Sequence, residues 1–394
     1  MSLFSLGQIA GLIGFLCLAL LIFSGDTARY FDRFFGMDKI IKFQRKFSLF
    51  TALFVLAHPV FFMLSGLEIL PLLIPNFLLL PSALGAMALY IFMAVMIASA
   101  LYKRISYAAW QYIHVLTYAL FFFSLYHAVN LGSDSGYWQI KAAYFILLMA
   151  VAGGAVYRTH YKLKQRRAGK FYVVSVKQDN QEVFTITLKP EKKFNFKAGQ
   201  FCFLRLKQDR LYARHPFTIA SSPEENELRF VVKIQGKFTR ALKNLQPGDE
   251  VIVDGPFGVF TVKDRAKDLV FIAGGVGIAP FISMLKDELT REKNRNIVLL
   301  YGIKTPADII CKQELESIKN SWFKKAYILS NHDLVSAECE NGRVNQEVIK
   351  KYVRNINKPL FYICGPKSMK KNLVKILAQL GVGRRNIISE DFFW

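Results

Sequence analysis

The chain has 394 residues, 53% of them hydrophobic, and a formal net charge of +23 from 52 Lys and Arg against 29 Asp and Glu. Residues 1–157 hold 9 basic and 5 acidic residues, and residues 158–394 hold the other 43 and 24. This division excludes a single soluble domain and indicates a membrane half followed by a basic soluble half. The basic residues are scattered and no nucleic-acid module accompanies them, so nucleic acid is not the expected partner. Anionic lipid and anionic dinucleotides are. Five cysteines (17, 202, 311, 339 and 364) stand singly without a C-x-x-C pair, which indicates neither a disulfide framework nor a zinc site.

Apolar runs lie at about 6–23, 47–66, 77–102, 109–130 and 138–157. The first lacks a basic leader and reads as a retained span. Segment 26–46 holds Arg29, Arg33, Lys39, Lys42, Arg45 and Lys46, the 102–108 turn holds Lys103 and Arg104, and Arg158, Lys162, Lys164, Arg166 and Arg167 follow residue 157. The alternating connections, 66–76 and 130–137, contain no Lys or Arg. The positive-inside rule then gives five spans, an external N-terminus and a cytoplasmic C-terminal half. The Pro-rich stretch 67–81 reads as an external segment lying in the interface, because a sixth span would throw Lys103 and Arg104 outside.

The fourth run, Trp110–Val129, carries His114 near one end and His127 near the other. Their separation, roughly 20 Å at the helical rise, suits two haems stacked through a membrane, or one haem and another redox group. Spacing of about 100° per residue leaves the two off a common face, so a bulge or tilt is needed to point both inward. The second and fourth spans run the same way, and His58 in the second matches His127 in depth. Two imidazoles on neighbouring helices could hold a haem iron. The residue at the depth of His114, fourteen before His58, is Gln44. His160, just past the last span, reads as a solvated interfacial residue.

From about 170 the pattern changes to short alternating strands, FYVVSVK, VFTITLK, GQFCFLRL, ELRFVVKI and DEVIVDG, which predict a small antiparallel barrel. Two stretches within it look chemical. Arg214–Pro223 (RHPFTIASSP) sets ring and hydroxyl side chains beside backbone donors, and Lys233–Leu242 (KIQGKFTRAL) is a glycine turn opening a short helix toward a phosphate. From 268 strands and helices alternate. DLVFIAGG runs into a glycine turn, Gly275-Val276-Gly277-Ile278-Ala279-Pro280, and a helix, and PLFYICGP with its following helix repeats the design. A parallel α/β domain is predicted.

Taken together, HPFT (His215–Thr218), GQF (Gly199–Phe201), DGPFG (Asp254–Gly258), GGVGIAPF (Gly274–Phe281), CGP (Cys364–Pro366) and the terminal EDFFW resemble the ferredoxin–NADP reductase superfamily. Preceded by histidine-bearing spans, they resemble its membrane branch, the NADPH oxidases and ferric reductases. HPFT in particular is similar to an NADPH oxidase, since soluble reductases usually carry Arg-x-Tyr-Ser there, and the likeness is to a small prokaryotic member.

The resemblance implies three domains: a transmembrane haem domain over 1–160, an FAD-binding barrel over 168–264 and an NAD(P)H-binding α/β domain over 267–394. His215, Pro216, Phe217 and Thr218 would line the isoalloxazine, with Thr218 bonding its polar edge. Gly236, Phe238 and Thr239 would hold the FAD diphosphate. Gly274, Gly275, Gly277 and Pro280 would hold the NADPH or NADH pyrophosphate. Cys364, Gly365 and Pro366 would border the nicotinamide, and Trp394 would stack on the flavin and yield to it. Haem b iron would be bound by His58 and His127, and a second haem by His114. Gln44 stands where a fourth histidine is expected. The inner haem would then bind with one protein ligand plus water or Gln44, or be absent with flavin reaching into its place, or mark an impaired step. Arg45, Lys103 and Arg104 are candidates for haem propionates, Lys304 and Arg343 for a 2′-phosphate. The implied enzyme sits in the cell membrane, passes electrons to oxygen to make superoxide or to a ferric chelate, and needs no obligatory protein partner. A cytochrome subunit or transporter that only scaffolds a partner would leave the dinucleotide motifs without a role.

Overall fold

The computed structural model describes residues 2–68, 73–102, 104–166, 170–206, 215–263, 267–291, 295–331 and 338–390. The chain forms two compact units that divide between residues 167 and 168. The first is helical: α1 (Leu3–Asp26), α2 (Ala28–Phe35), α3 (Met37–Leu64), α4 (Leu80–Ala100), α5 (Tyr107–Val115), α6 (Thr117–Leu131) and α7 (Trp138–Arg166). Among the described residues five stretches are long and apolar enough to cross a membrane: Leu3–Asp26, Met37–Leu64, Phe77–Ala100, Ala109–Leu131 and Trp138–Gln165. Large apolar side chains such as Leu53, Met63, Phe145 and Ile146 are exposed on this unit, as a bundle surrounded by hydrocarbon requires.

The second span starts earlier than the apolar run at 47. Strong helix formers in DKIIKFQRKF continue the helix back to Met37, whose N–H donates to the Asp32 carboxylate at 2.6 Å. Gly36, at φ +85°, makes the left-handed corner between α2 and α3. Helices α1 and α3 pack along a glycine seam. A methyl group at Gly7, Gly11 or Gly14 would meet Phe62, His58 or Val55 respectively, so the missing side chains are what allow the close approach. Phe15, Leu18, Phe92, Leu120, Phe121 and Tyr144 fill the bundle core, with Phe15 stacked on Phe121 at 5.3 Å.

The fourth run is two helices. Leu116 separates α5 from α6, its N–H bonding to Ile113 O, while the Thr117 hydroxyl donates to the His114 carbonyl at 2.8 Å. A hydroxyl that takes a helical carbonyl competes with the backbone donor, and the helix restarts with a new phase. The helix is thus broken between His114 and His127, while His114 itself remains exposed.

In the second unit, β1 (Phe171–Gln178), β2 (Val183–Pro190), β3 (Phe201–Leu206), β4 (His215–Thr218), β5 (Leu228–Lys233) and β6 (Glu250–Phe257) form an antiparallel sheet in the order β4-β3-β6-β1-β2-β5. A bridge between Ile219 and Phe230 brings its two edge strands together. The short helix α8 (Lys237–Lys243) follows β5. A second sheet contains β7 (Leu269–Gly274), β8 (Ile297–Ile303), β9 (Phe323–Leu329), β10 (Cys339–Asn341), β11 (Leu360–Cys364) and β12 (Ile387–Ser389), in the order β10-β9-β8-β7-β11-β12. All its pairings are parallel, and β7 and β11 are buried along their whole length, as a sheet covered on both faces demands. Its helices are α9 (Ala279–Leu289), α10 (Lys312–Ser317), α11 (Gln346–Tyr352) and α12 (Lys367–Gln379).

The two lobes of this unit are joined by polar contacts. Arg229 of β5 grips Glu314 of α10 at 2.7 and 2.8 Å, Lys286 of α9 bonds both Glu225 and Glu314 at 3.0 Å, and the buried Ser283 hydroxyl donates to Ser221 O at 2.6 Å.

Candidate functional site

His58 and His127 meet inside the bundle with ring centroids 6.2 Å apart and planes at 89°. His58 Nδ1 lies 2.8 Å from Gly7 O, and His127 Nδ1 lies 2.9 Å from Pro81 O. A carbonyl oxygen only accepts, so both Nδ1 atoms carry the proton and both Nε2 atoms keep a bare lone pair. Glycines make room behind the rings: a Cβ at Gly11 would collide with the His58 imidazole, and one at Gly85 with that of His127. A metal ion bonded at about 2 Å to each Nε2 requires ring centroids roughly 6 Å apart. The centroid spacing of the pair matches that requirement.

His114 is not brought to this pair. Its ring stacks on Trp110 at 4.8 Å and makes no hydrogen bond among the described residues. Gln44 is turned toward α1, where its Nε2 donates to Ser24 Oγ at 3.3 Å. Near His114 lies a cluster to which no motif points. The buried Asp26 carboxylate accepts from Tyr118 Oη at 2.8 Å on both oxygens and from Arg158 Nη1 at 3.0 Å. Its signal in the sequence is an acid closing an apolar run, while Arg158 reads there only as a topology charge. Arg45, Arg104 and His160 are exposed, and Lys103 lies outside the described residues.

In the antiparallel lobe, β4 presents HPFT against β3, with Phe217 opposite Cys202 and Thr218 opposite Phe201. The Thr218 hydroxyl is buried and has no hydrogen-bond partner among the described residues, an arrangement that calls for a ligand atom. His215 stacks on Phe238 at 4.2 Å, and Phe217 is 6.1 Å from the same ring. Burial lowers the His215 pKa below its ordinary value, so the imidazole stays neutral. Phe238 therefore supports the HPFT strand with its side chain. Thr239 is likewise occupied: its hydroxyl accepts from Gln235 N and Gly236 N and donates to Gly236 O. What this turn offers a phosphate is the row of backbone N–H groups opening α8.

In the parallel lobe, the sheet order reverses between β7 and β11, and the loops after these neighbouring strands carry GGVGIAP and CGP. At such a switch point a crevice opens at the carboxyl ends of the strands. The loops touch backbone to backbone. A side chain at Gly277 would strike Cys364 O, and one at Gly365 would strike the backbone of Gly274. Gly275 adopts φ +54° and faces open space, and Pro280 stands in the first turn of α9. The Cys364 side chain is fully buried and its thiol pKa is raised well above normal by burial, so it meets the crevice through its backbone. Glu390, after β12, is the first residue of EDFFW and the one residue of that motif among those described. Its backbone carbonyl accepts from buried Lys370, and its Oε1 stands beside Gly258 of DGPFG, which connects the two lobes at this crevice. Lys304 and Arg343 are exposed, and Trp394 lies outside the described residues.

A membrane bundle with a paired-imidazole site, followed by an antiparallel lobe and a parallel lobe with a dinucleotide crevice, defines a membrane FAD- and NAD-dependent oxidoreductase. A family model of the ferric reductase like transmembrane component matches residues 10–125, one of an FAD-binding domain matches 168–261, and one of an oxidoreductase NAD-binding domain matches 271–375. The chain belongs to the ferric reductase and NADPH oxidase type of architecture. A component of the Na(+)-translocating NADH-quinone reductase of Pseudomonas aeruginosa is 32% identical over 194 residues, 45% of this chain and 48% of that protein. The chain thus spans about half the length of that relative. The flavohemoprotein of Bacillus subtilis is 27% identical over 270 residues, 64% of this chain and 67% of that protein. A ferredoxin NADP+ reductase from Neisseria gonorrhoeae, solved with bound FAD and NADP, shares the fold at a TM-score of 0.51 and 22% identity, over 57% of this chain and 98% of that one.

Proposed function

We propose that the protein is a cell-membrane NAD(P)H oxidase that draws electrons from cytoplasmic NADPH or NADH and delivers them to molecular oxygen on the other side, forming superoxide. The observation that carries this reading is the His58–His127 pair, half-buried at membrane depth with both Nε2 atoms bare. These two residues would hold the iron of a haem b. Bound there, haem supplies one-electron transfer across lipid, and FAD in the antiparallel lobe supplies the change from hydride to single electrons.

The chain's own groups do the rest. Thr218 would donate its buried hydroxyl to the polar edge of the flavin, and neutral His215 keeps a positive charge away from that ring. The N–H groups opening α8 would take the FAD diphosphate. Gly274, Gly275 and Gly277 admit the NAD(P)H pyrophosphate to the backbone ahead of α9, and Gly365 with the Cys364 backbone shapes the nicotinamide end. Trp394 would cover the flavin until nicotinamide enters. One NAD(P)H gives up two electrons and a proton, and two oxygen molecules each take one electron. The basic connections 26–46 and 102–108 support a cytoplasmic position for the soluble unit.

Oxygen is favoured because the opposite connections, 66–76 and 130–137, offer no Lys or Arg to hold an anionic chelate, while a small apolar molecule needs no such group. Purified protein supplied with FAD and haem is expected to oxidise NAD(P)H aerobically and to reduce cytochrome c in a manner abolished by superoxide dismutase. Reduction of a ferric chelate without oxygen, and no superoxide with it, would make the protein a ferric reductase instead.

A further inference from the structure

The two helical layers of the parallel sheet differ in charge. Helices α9 and α10 pack on one face through Phe281, Met284 and Leu315, and α11 and α12 on the other through Val348, Leu373 and Leu377. Residues 279–317, which contain the first layer, hold six Lys and Arg against six Asp and Glu. Residues 343–386, which contain the second, hold eleven against one, Glu347. That net +10 is over half of the +19 carried by residues 158–394. The first layer is the one that meets the antiparallel lobe, through Ser283, Lys286 and Glu314, so the basic layer is turned away from that lobe.

Ten of the eleven basic residues are exposed, and the exception, Lys370, donates to Glu390 O. Lys367, Lys371 and Lys375 recur every fourth residue on the solvent side of α12, with the exposed Val374 beside the last of them. Helix α11 adds Lys350 and Lys351, the latter paired with Glu340. At the amino-terminal end of the sheet, Arg354 and Lys358 precede β11, and Arg384 and Arg385 precede β12. Asn386 Nδ2 donates to Asn357 O at 3.2 Å and holds these two turns together.

Like charges gathered on one surface repel one another and favour an anionic partner. Steering of a dinucleotide does not account for them. The crevice lies at the carboxyl ends of β7 and β11, whereas Arg354, Lys358, Arg384 and Arg385 lie at the opposite end of the sheet. The partner has to be broad and anionic.

We propose that the α11–α12 layer docks on an anionic bilayer surface. The chain is anchored in a bilayer by its own helices, so a leaflet is present at high effective concentration, whereas an acidic protein must be recruited. Each Lys or Arg near an anionic leaflet adds attraction, which salt screens within a Debye length. The inference goes beyond the oxidase reading and needs only the membrane anchor.

The test is lysine acetylation read by mass spectrometry, on the full-length protein in nanodiscs of phosphatidylcholine alone or mixed with phosphatidylserine. Labelling of Lys350, Lys358, Lys371 and Lys375 is expected to fall about threefold in the anionic discs and to recover at high salt. Lys312 and Lys319, at the opposite layer, are expected to label equally in both. Charge reversal by Lys371→Glu, Lys375→Glu and Arg384→Glu together is expected to remove the protection of Lys350 and Lys358. Equal labelling of the basic layer in the two lipids, or equal protection of Lys312 and Lys319, overturns the proposal and leaves the layer to an acidic protein. No cofactor or turnover enters the measurement, so its failure is distinct from failure of the oxidase reading.

Discussion

Arg229 of the antiparallel lobe and Glu314 of the parallel lobe form a two-pronged ion pair, at 2.7 and 2.8 Å, across the boundary between the two lobes. Burial alone would raise the Glu314 pKa, but the hydrogen bonds and charges of Arg229 and Lys286 hold it at about 2, below its ordinary 4.5. A carboxylate with a depressed folded-state pKa stabilises the native form fully above its unfolded value and loses that effect as pH falls through the folded one. The lobes are therefore expected to loosen between about pH 4.5 and 2. Glu314→Gln should lower stability at neutral pH by about 1–2 kcal/mol, given the partial exposure of the pair, and flatten the acid limb. Urea unfolding followed across pH checks both.

Gly85 separates ligand geometry from ligand identity. A methyl group there would fall inside contact distance of His127 Nδ1, while one at Gly25 would stand 3.8 Å from Gln44 Nε2, an ordinary contact. Gly85→Ala should reduce the low-spin Soret band to the same degree as His127→Ala, although both histidines remain. Gly25→Ala should leave it unchanged. The absorbance ratio of Soret to protein bands is the measurement.

Thr218→Val should push two quantities in opposite directions. Removing a buried hydroxyl that lacks a partner should leave the flavin-free protein as stable or up to about 1 kcal/mol more so. Flavin affinity should fall about tenfold, the worth of one lost hydrogen bond. Fluorescence titration with FAD and thermal unfolding of the flavin-free protein read the two effects separately.

Asp26→Asn should leave Arg158 beside Tyr118 without its counter-charge inside the bundle. A loss of about 1–2 kcal/mol is expected, since Asp26 is buried but the Arg158 side chain is 35% exposed. Asp26→Asn combined with Arg158→Leu should recover a large part of it. Thermal unfolding in detergent of the two single variants and the double variant measures the coupling.

Much of the architecture was legible because apolar length, loop charge and strand alternation are local quantities. The five spans, the antiparallel strands, the glycine turn before α9 and its repeat after β11 all appear where the pattern put them. The start of α3 did not, because helix propensity in DKIIKFQRKF extends a span beyond its apolar part. The motif assigns Phe238 and Thr239 to a diphosphate, yet their side chains serve the HPFT strand and the turn itself. Glu390 enters the sequence reading only as the first residue of EDFFW, and Asp26 carries no motif at all. Each becomes notable only because chain segments distant in sequence bury it beside Gly258, or beside Tyr118 and Arg158.

The sequence by itself determined that the chain enters a membrane, that two dinucleotide-type lobes follow, and that histidines lie at two depths, since hydropathy and residue spacing act along the chain. Depth along the spans already paired His58 with His127, and only the tertiary structure decided which nitrogen of each remains bare and that Gln44 is tied to Ser24. Those outcomes depend on carbonyls and a hydroxyl contributed by other helices, and no periodicity within one segment contains them.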